Sequence, residues 1–154
     1  MSGFDLARFM QRGTWGHGGR LGISLHAFGD DWVEMALPYS TDLIGDEASG
    51  VLASGPIIAM MDITTSLAVW QRVDAFVPHA TLDLRIDYLR RATPGRTVIG
   101  RAECLRVTRS ISFTRGLAHD GDPADPIANV SATFMLPTGA YPGSRGEGQG
   151  EGAR

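Results

Sequence analysis

Asp62 is the residue most out of keeping with its surroundings: it sits in the run Ile57-Ile58-Ala59-Met60-Met61-Asp62-Ile63 with no Lys, Arg or His at helical contact spacing. An ion buried in such a segment costs on the order of several kcal/mol unless it is paired. A carboxylate kept there is either paired from elsewhere in the chain or used for proton transfer or nucleophilic attack. Ser54 and Gly55 stand about two turns earlier, where the apolar run begins. Free backbone N–H groups at that point, with the positive end of a helix dipole, suit a developing oxyanion. Gly55 would let a carbonyl approach closely, although glycines also occur at helix starts for steric reasons alone. Cys104 falls mid-strand with no His nearby in sequence and is expected to be a structural thiol. His17, His26, His79 and His119 are scattered without zinc-type spacing, so no metal site is expected.

These groups need a scaffold, and the apolar pattern supplies one. A helix is expected over residues 54–72, with Ser54 as N-cap and Pro56 in the first turn. Ile57, Ile58, Met60, Met61, Ile63, Leu67, Val69 and Trp70 lie all round its wheel, so the helix is expected to be buried on every side. Strands are expected over 22–28 and 32–37, as a hairpin around Gly29-Asp30-Asp31, and then over 79–89, 97–107, 111–117 and 127–136. Residues 40–50 read as a loop, and Phe4 to Gln11 as a short amphipathic helix or arm that Gly13 and the glycines of 16–19 end. Phe4, Phe9, Met10 and Trp15 are expected to cover apolar surface. The order of elements is that of an α+β domain, an antiparallel sheet wrapped around one long helix. A helix apolar on every side needs more cover than one five-stranded sheet gives, so a second subunit is expected to supply it.

Length and composition bound the rest. A chain of 154 residues favours one domain over residues 21–137, with an arm at 1–20 and a Gly/Ser/Glu-rich tail of disordered composition at 138–154. The net charge of -3 lacks the basic bias that phosphate neutralisation requires, so no nucleic-acid partner is expected. No apolar run approaches the ~18 residues of a membrane span. A lone cysteine without a leader pattern points to a reducing cytoplasm.

Gly50-Val-Leu-Ala-Ser-Gly55, then Ile-Ile-Ala-Met-Met-Asp62, then Thr81-Leu-Asp-Leu-Arg-Ile-Asp-Tyr-Leu-Arg-Arg-Ala-Thr-Pro-Gly95, together resemble the phenylacetate-pathway (PaaI-like) branch of the hotdog-fold thioesterases. The similarity runs from about Leu21 to Pro137. It implies a hotdog fold and hydrolysis of an acyl-CoA thioester without an organic cofactor. It also implies a homodimer, paired into a homotetramer, with each active site shared between subunits. By the resemblance, Gly55 and the helix dipole polarise the thioester carbonyl and Asp62 of the partner activates water or attacks directly. Thr81, at the start of the next strand, helps place that water. Glu47 and Ser54 occupy substrate-side positions, and Arg90, Arg91, Arg96 and Arg109 sit at strand turns where related enzymes hold the phosphates of coenzyme A.

The sequence also departs from that family. Ala53 and Ser54 stand where the family has His and Gly, and Glu47 stands where it has a polar residue, often Asn. The His17-Gly18-Gly19 triplet is similar to the missing motif but precedes no apolar helix, and is expected to be an unrelated loop. These changes keep a non-catalytic acyl-CoA binder open as an alternative. A hydratase or dehydratase is a further one; it would need His79, at the strand entrance, paired with an acid. The acyl group is left open between small aromatic and short or medium aliphatic chains.

Overall fold

The computed structural model describes residues 3–11 and 16–137; Gly13, Trp15 and the expected tail lie outside the described residues. The expected hairpin is present as β1 (Ser24–Phe28) and β2 (Trp32–Leu37), closed by the Gly29 N–H donating to the Trp32 carbonyl at 2.9 Å. The four later strands follow as β5 (Ala80–Tyr88), β6 (Val98–Val107), β7 (Ile111–His119) and β8 (Ala128–Met135). The six form one antiparallel sheet in the order β1-β2-β6-β7-β8-β5. The sheet has six strands rather than five because both strands of the first hairpin join it. Residues 40–50 are not a plain loop. They form a 3-10 turn (Thr41–Leu43) and then β3 (Ile44–Asp46), which pairs with β4 (Val51–Leu52) in a small separate hairpin. Gly45 permits it, since a Cβ there would lie 2.9 Å from the Ala53 Cα.

The long helix α3 (Ser54–Val73) packs chiefly against β6, β2 and β7. Small residues on the sheet allow the close approach: a Cβ at Gly100 would lie 2.5 Å from the Met61 sulfur, and one at Gly116 would collide with the Arg101 carbonyl of the neighbouring strand. The interface between helix and sheet is the core, with Ile57, Met60, Met61, Leu67 and Val69 of α3 against Val33, Met35, Leu37, Val98 and Phe134. Thr64 and Thr65 are buried there because their hydroxyls donate to the Met60 and Met61 carbonyls at 2.7 and 2.8 Å. This is the hotdog architecture the resemblance implied.

One expectation about α3 needs correction. Ala53, not Ser54, is the N-cap; it is extended and makes no side-chain cap bond, so Ser54 already belongs to the first turn. As expected, the chain's own sheet does not cover the helix on every side. Gly55 and Ile58 are exposed and Asp62 and Ser66 only half-buried, which leaves a stripe at helical spacing that the chain's own sheet does not reach.

The arm packs as expected. In α1 (Leu6–Met10), Asp5 caps the helix by accepting from the Arg8 N–H, and Leu6 is buried. Phe4 and Phe9 stack edge-on against Trp70 at 6.0 and 5.2 Å. The Phe4 N–H donates to the Asp74 carboxylate at 2.7 Å, tying the arm to the residue that ends α3 with φ 52°. His17-Gly18-Gly19 is helical rather than a loop, forming α2 (Gly16–Arg20). Gly18 is buried because it packs against Ile63, whose Cδ1 would lie 2.8 Å from a Cβ there.

Candidate active site

Asp62 projects from the open stripe of α3 toward the start of β5. There its Oδ1 accepts from the Thr81 hydroxyl at 2.9 Å. The unpartnered, fully buried carboxylate expected from sequence is therefore a half-buried one with a hydroxyl partner, because Thr81 is brought alongside by the return of the chain from α3 into β5. Gly55 sits two turns up the same stripe. A Cβ there would meet nothing within 4 Å, so the helix surface at Gly55 is open to a ligand. The Tyr88 hydroxyl donates to the Ser54 carbonyl at 3.3 Å, and burial raises its pKa. A cleft of about 360 Å³ opens beside the helix start, lined by Ser54, Ile57, Tyr88, Leu89, Arg90 and Arg91 among others; Gly55, Asp62 and Thr81 are not part of its lining. Glu47 is exposed in the β3–β4 turn.

The arginines separate. Arg90 is taken up internally: its Nη2 and Nη1 reach the two oxygens of the buried Asp120 at 2.7 and 3.2 Å, and Nη2 also donates to the Asp125 carbonyl at 2.8 Å. Arg91 is exposed on the cleft rim, close enough to Asp46 to help lower that carboxyl's pKa, an effect led by the Ser49 hydroxyl. Arg96 reaches the Asp120 carbonyl at 3.4 Å. Arg109 is elsewhere. Ile111 pairs with Met135 and Met135 with Ala80, so the β6–β7 turn adjoins the start of β5, whereas Arg90 and Arg91 follow its end. Nine residues of strand separate the two ends by roughly 25–30 Å. The expected cluster of four is thus three residues at one end of the sheet and one at the other.

The sequence reading left out Ser66, whose Oγ lies 2.7 Å from His79 Nε2. It stands one helical turn beyond Asp62, as His79 stands one strand repeat before Thr81; that pairing of periods is the signal that could have found it. His79 does not bond to an acid directly. Its Nδ1 lies 2.9 Å from the Val77 carbonyl, and the Asp62 charge is only a minor influence on it. Cys104 is buried and its thiol is pushed up to about 11 by desolvation, an inert environment.

A long helix laid on a six-stranded antiparallel sheet is the architecture of the hotdog thioesterases. The profile of the thioesterase superfamily matches residues 49–127, and the chain belongs to that family. The chain is similar to a medium/long-chain acyl-CoA thioesterase, YigI, of Escherichia coli K12, at 25% identity over 134 residues, 75% of this chain and 82% of that protein. It is 31% identical over 91 residues to a Haemophilus influenzae protein named as an esterase; this match takes in 59% of the chain and spans 64% of that relative's length. Among solved structures, a Pseudomonas aeruginosa protein is 42% identical with TM-score 0.72, covering 78% of this chain and 89% of that one. The phenylacetic acid degradation protein PaaI of Thermus thermophilus shares the fold at 22% identity, TM-score 0.64, over 75% and 94% of the two chains. No helix among the described residues is long and apolar enough to cross a membrane.

Proposed function

We propose that this protein hydrolyses an acyl-CoA thioester, of a small aromatic or a short or medium-chain acid, to the free acid and CoA. The observation that carries the reading is Asp62: a carboxylate on the open stripe of a largely apolar helix, its Oδ1 accepting from the Thr81 hydroxyl at 2.9 Å. The thioester carbonyl accepts from the Gly55 amide, and Asp62 takes a proton from attacking water or attacks the carbonyl carbon itself. The C–S bond then breaks and the thiolate leaves protonated as CoA; where Asp62 itself attacks, water then hydrolyses the acyl anhydride so formed, releasing the free acid and restoring the carboxylate. No organic cofactor enters these steps. The reading fits a reducing cytoplasm, where Cys104 stays a free thiol.

The site is proposed to be shared in a homodimer, itself able to pair into a tetramer. Seven residues of α3 put about 10.5 Å between the Gly55 and Asp62 Cα atoms. A carbonyl hydrogen-bonded at about 2.9 Å and attacked from about 3–3.5 Å needs its donor and its nucleophile closer than that. Among the described residues β5 is an edge of the sheet, pairing only with β8, and Leu82, Tyr88 and Leu89 on or beside it are exposed, as is Ile58. Antiparallel pairing of two β5 edges sets the Thr81 end of one chain beside the Tyr88 end of the other, so each Asp62 approaches the partner's helix start. Light scattering over a dilution series should therefore find no stable folded monomer at micromolar concentration; a well-folded monomer that hydrolyses acyl-CoA would remove the shared site.

A panel of aromatic, short and medium aliphatic acyl-CoA esters, read by release of free thiol, tests the activity and sorts the acyl group. Tight binding without thiol release would favour the non-catalytic reading that Ala53 and Glu47 keep open. Phosphate contacts far from the carbonyl bind ground and transition states alike, so Arg91→Glu should raise KM for a CoA ester about 10-fold and barely change kcat. A truncated thioester lacking the nucleotide should not respond. Arg109, at the far end of its own sheet, can meet that nucleotide only across the dimer. Arg109→Glu should match Arg91→Glu if the subunits pair through β5, and should be silent otherwise.

A further inference from the structure

Beside the Asp62–Thr81 bond runs a second polar rung, from Ser66 to His79 at 2.7 Å. The two rungs are parallel by construction. Residues 62 and 66 are one turn apart on α3, a rise of about 6 Å, and residues 79 and 81 share a face of extended chain with a repeat of about 6.6 Å. His79 Nδ1 lies 2.9 Å from the Val77 carbonyl, which can only accept, so in the neutral ring Nδ1 carries the proton and Nε2 accepts from the Ser66 hydroxyl. The ring is held between Trp70 and Phe134, at 5.5 and 4.9 Å between centroids, so it does not swing freely.

We propose that His79 is a positioning residue for the water that Asp62 activates: by taking the Ser66 hydrogen it leaves Ser66 Oγ as an acceptor one helical turn from the Asp62 carboxylate. A water between them donates one hydrogen to each and turns a lone pair toward the thioester carbon. As the new C–O bond forms, the proton held by Asp62 passes to the carboxylate, and it is returned to the sulfur when the C–S bond breaks. The proposal rests on the thioesterase reading above and deepens it.

Protonation of His79 reverses Ser66. Nε2 then donates, and the hydroxyl turns its own hydrogen toward Asp62, in competition with the water. Among the described residues the ionised group acting on the ring is Asp62 of α3; the Val77 carbonyl, Trp70 and Phe134 complete its surroundings. Desolvation of the half-buried ring holds its pKa below the usual histidine value, against the smaller opposing pulls of the Val77 carbonyl and Asp62. Activity thus declines only as pH falls below the ordinary histidine range.

The test is steady-state kinetics across pH for wild type, His79→Phe, His79→Gln, Ser66→Ala and the double variant Ser66→Ala/His79→Phe, with the ring tautomer of the wild type read by ¹⁵N NMR. His79→Phe keeps the aromatic stack and should lose ~10- to 100-fold in kcat with KM unchanged, the scale on which a misplaced reactant costs rate. The double variant should be no slower than the worse single one, since both remove the same rung. His79→Gln, whose amide oxygen can accept from Ser66 without titrating, should restore kcat at neutral pH and lose the wild type's histidine limb. Full kcat in His79→Phe, additive losses in the double variant, or an Nε2-protonated tautomer at neutral pH would each overturn the proposal. If the Phe variant does not fold, the Gln profile and the tautomer decide. A wild type that hydrolyses no acyl-CoA overturns the thioesterase reading and this proposal with it, whereas an active His79→Phe beside an inactive Asp62→Asn overturns the positioning role alone.

Discussion

Asp62→Asn should lower kcat for acyl-CoA hydrolysis by about 10²- to 10⁴-fold, the usual worth of a positioned proton-transfer group, while leaving the protein as stable as wild type. The two halves of that expectation have separate causes. Asn keeps the side-chain volume and an amide oxygen able to accept from the Thr81 hydroxyl, so the 2.9 Å contact that ties α3 to β5 survives. What is lost is the basic oxygen, and with it either the proton acceptor for water or the nucleophile. Asp62 is half-buried on an open stripe rather than sealed in the core, so neutralising it relieves only a modest desolvation cost and Tm should move by no more than about 2 °C. Thermal melts and thiol-release kinetics on the same preparation check both halves. A variant melting several degrees lower with undiminished kcat would show that Asp62 serves the fold, and the thioesterase reading would lose its central residue.

The separation of these two effects depends on a feature that the sequence hides. Every turn of α3 is apolar, so its periodicity does not reveal which side the sheet covers; the helix reads as buried all round and Asp62 as an ion stranded in a core. The register of the chain against itself settles it, leaving Gly55, Ile58, Asp62 and Ser66 on the uncovered side. The helix is legible as a long, largely apolar run, and the long strands as stretches in which apolar and polar residues interleave between short polar turns. The small hairpin of β3 and β4 is not, since strands of three and two residues are too short to carry an alternation. Gly55, Asp62 and Thr81 are singled out as candidates by residue type, spacing and resemblance. Ser66, and its pairing with His79, emerge only when the helix is set beside the strand, because Ser66 is not unusual for the helix that carries it.

The arginines show the same limit from the other side. Four guanidinium groups at turns read alike in sequence, and nothing near Arg90 in the chain announces Asp120, thirty residues later, whose side chain is 3% exposed and accepts from Arg90 and from the Thr93 N–H at 2.7 Å. An arginine so engaged braces the turn after β5 against the end of β7, and in doing so holds the exposed Arg91 and the rim of the cleft in place.

Asp120→Asn should accordingly be the most destabilising of the conservative changes near the cleft. Removing one partner of a buried pair typically costs about 3–5 kcal/mol; Arg90 keeps Asp125 at 3.1 Å and some contact with solvent, so the lower end applies, about 3 kcal/mol. For a chain of this size that corresponds to roughly 5–10 °C in Tm. The pH dependence has a definite sign. The Arg90 hydrogen bond, with help from the Thr93 amide, holds the Asp120 carboxyl well below the usual carboxylate range, against the opposing effect of burial. A carboxyl whose folded pKa is depressed contributes stability that is complete above its unfolded value, near pH ~4, and is lost as pH falls from there through the folded value. The gap in Tm between wild type and Asp120→Asn should therefore be constant from about pH 8 down to about pH 5 and narrow below about pH 4, by scanning calorimetry at fixed protein concentration. KM for a CoA ester should rise only slightly in this variant below its melting range, because Arg90 is committed to the scaffold and the phosphates are left to Arg91. Equal melting temperatures at every pH, together with a lower KM in Asp120→Asn, would mean that releasing Arg90 makes it available to substrate, and would restore it to the phosphate-binding role that the sequence assigned to it.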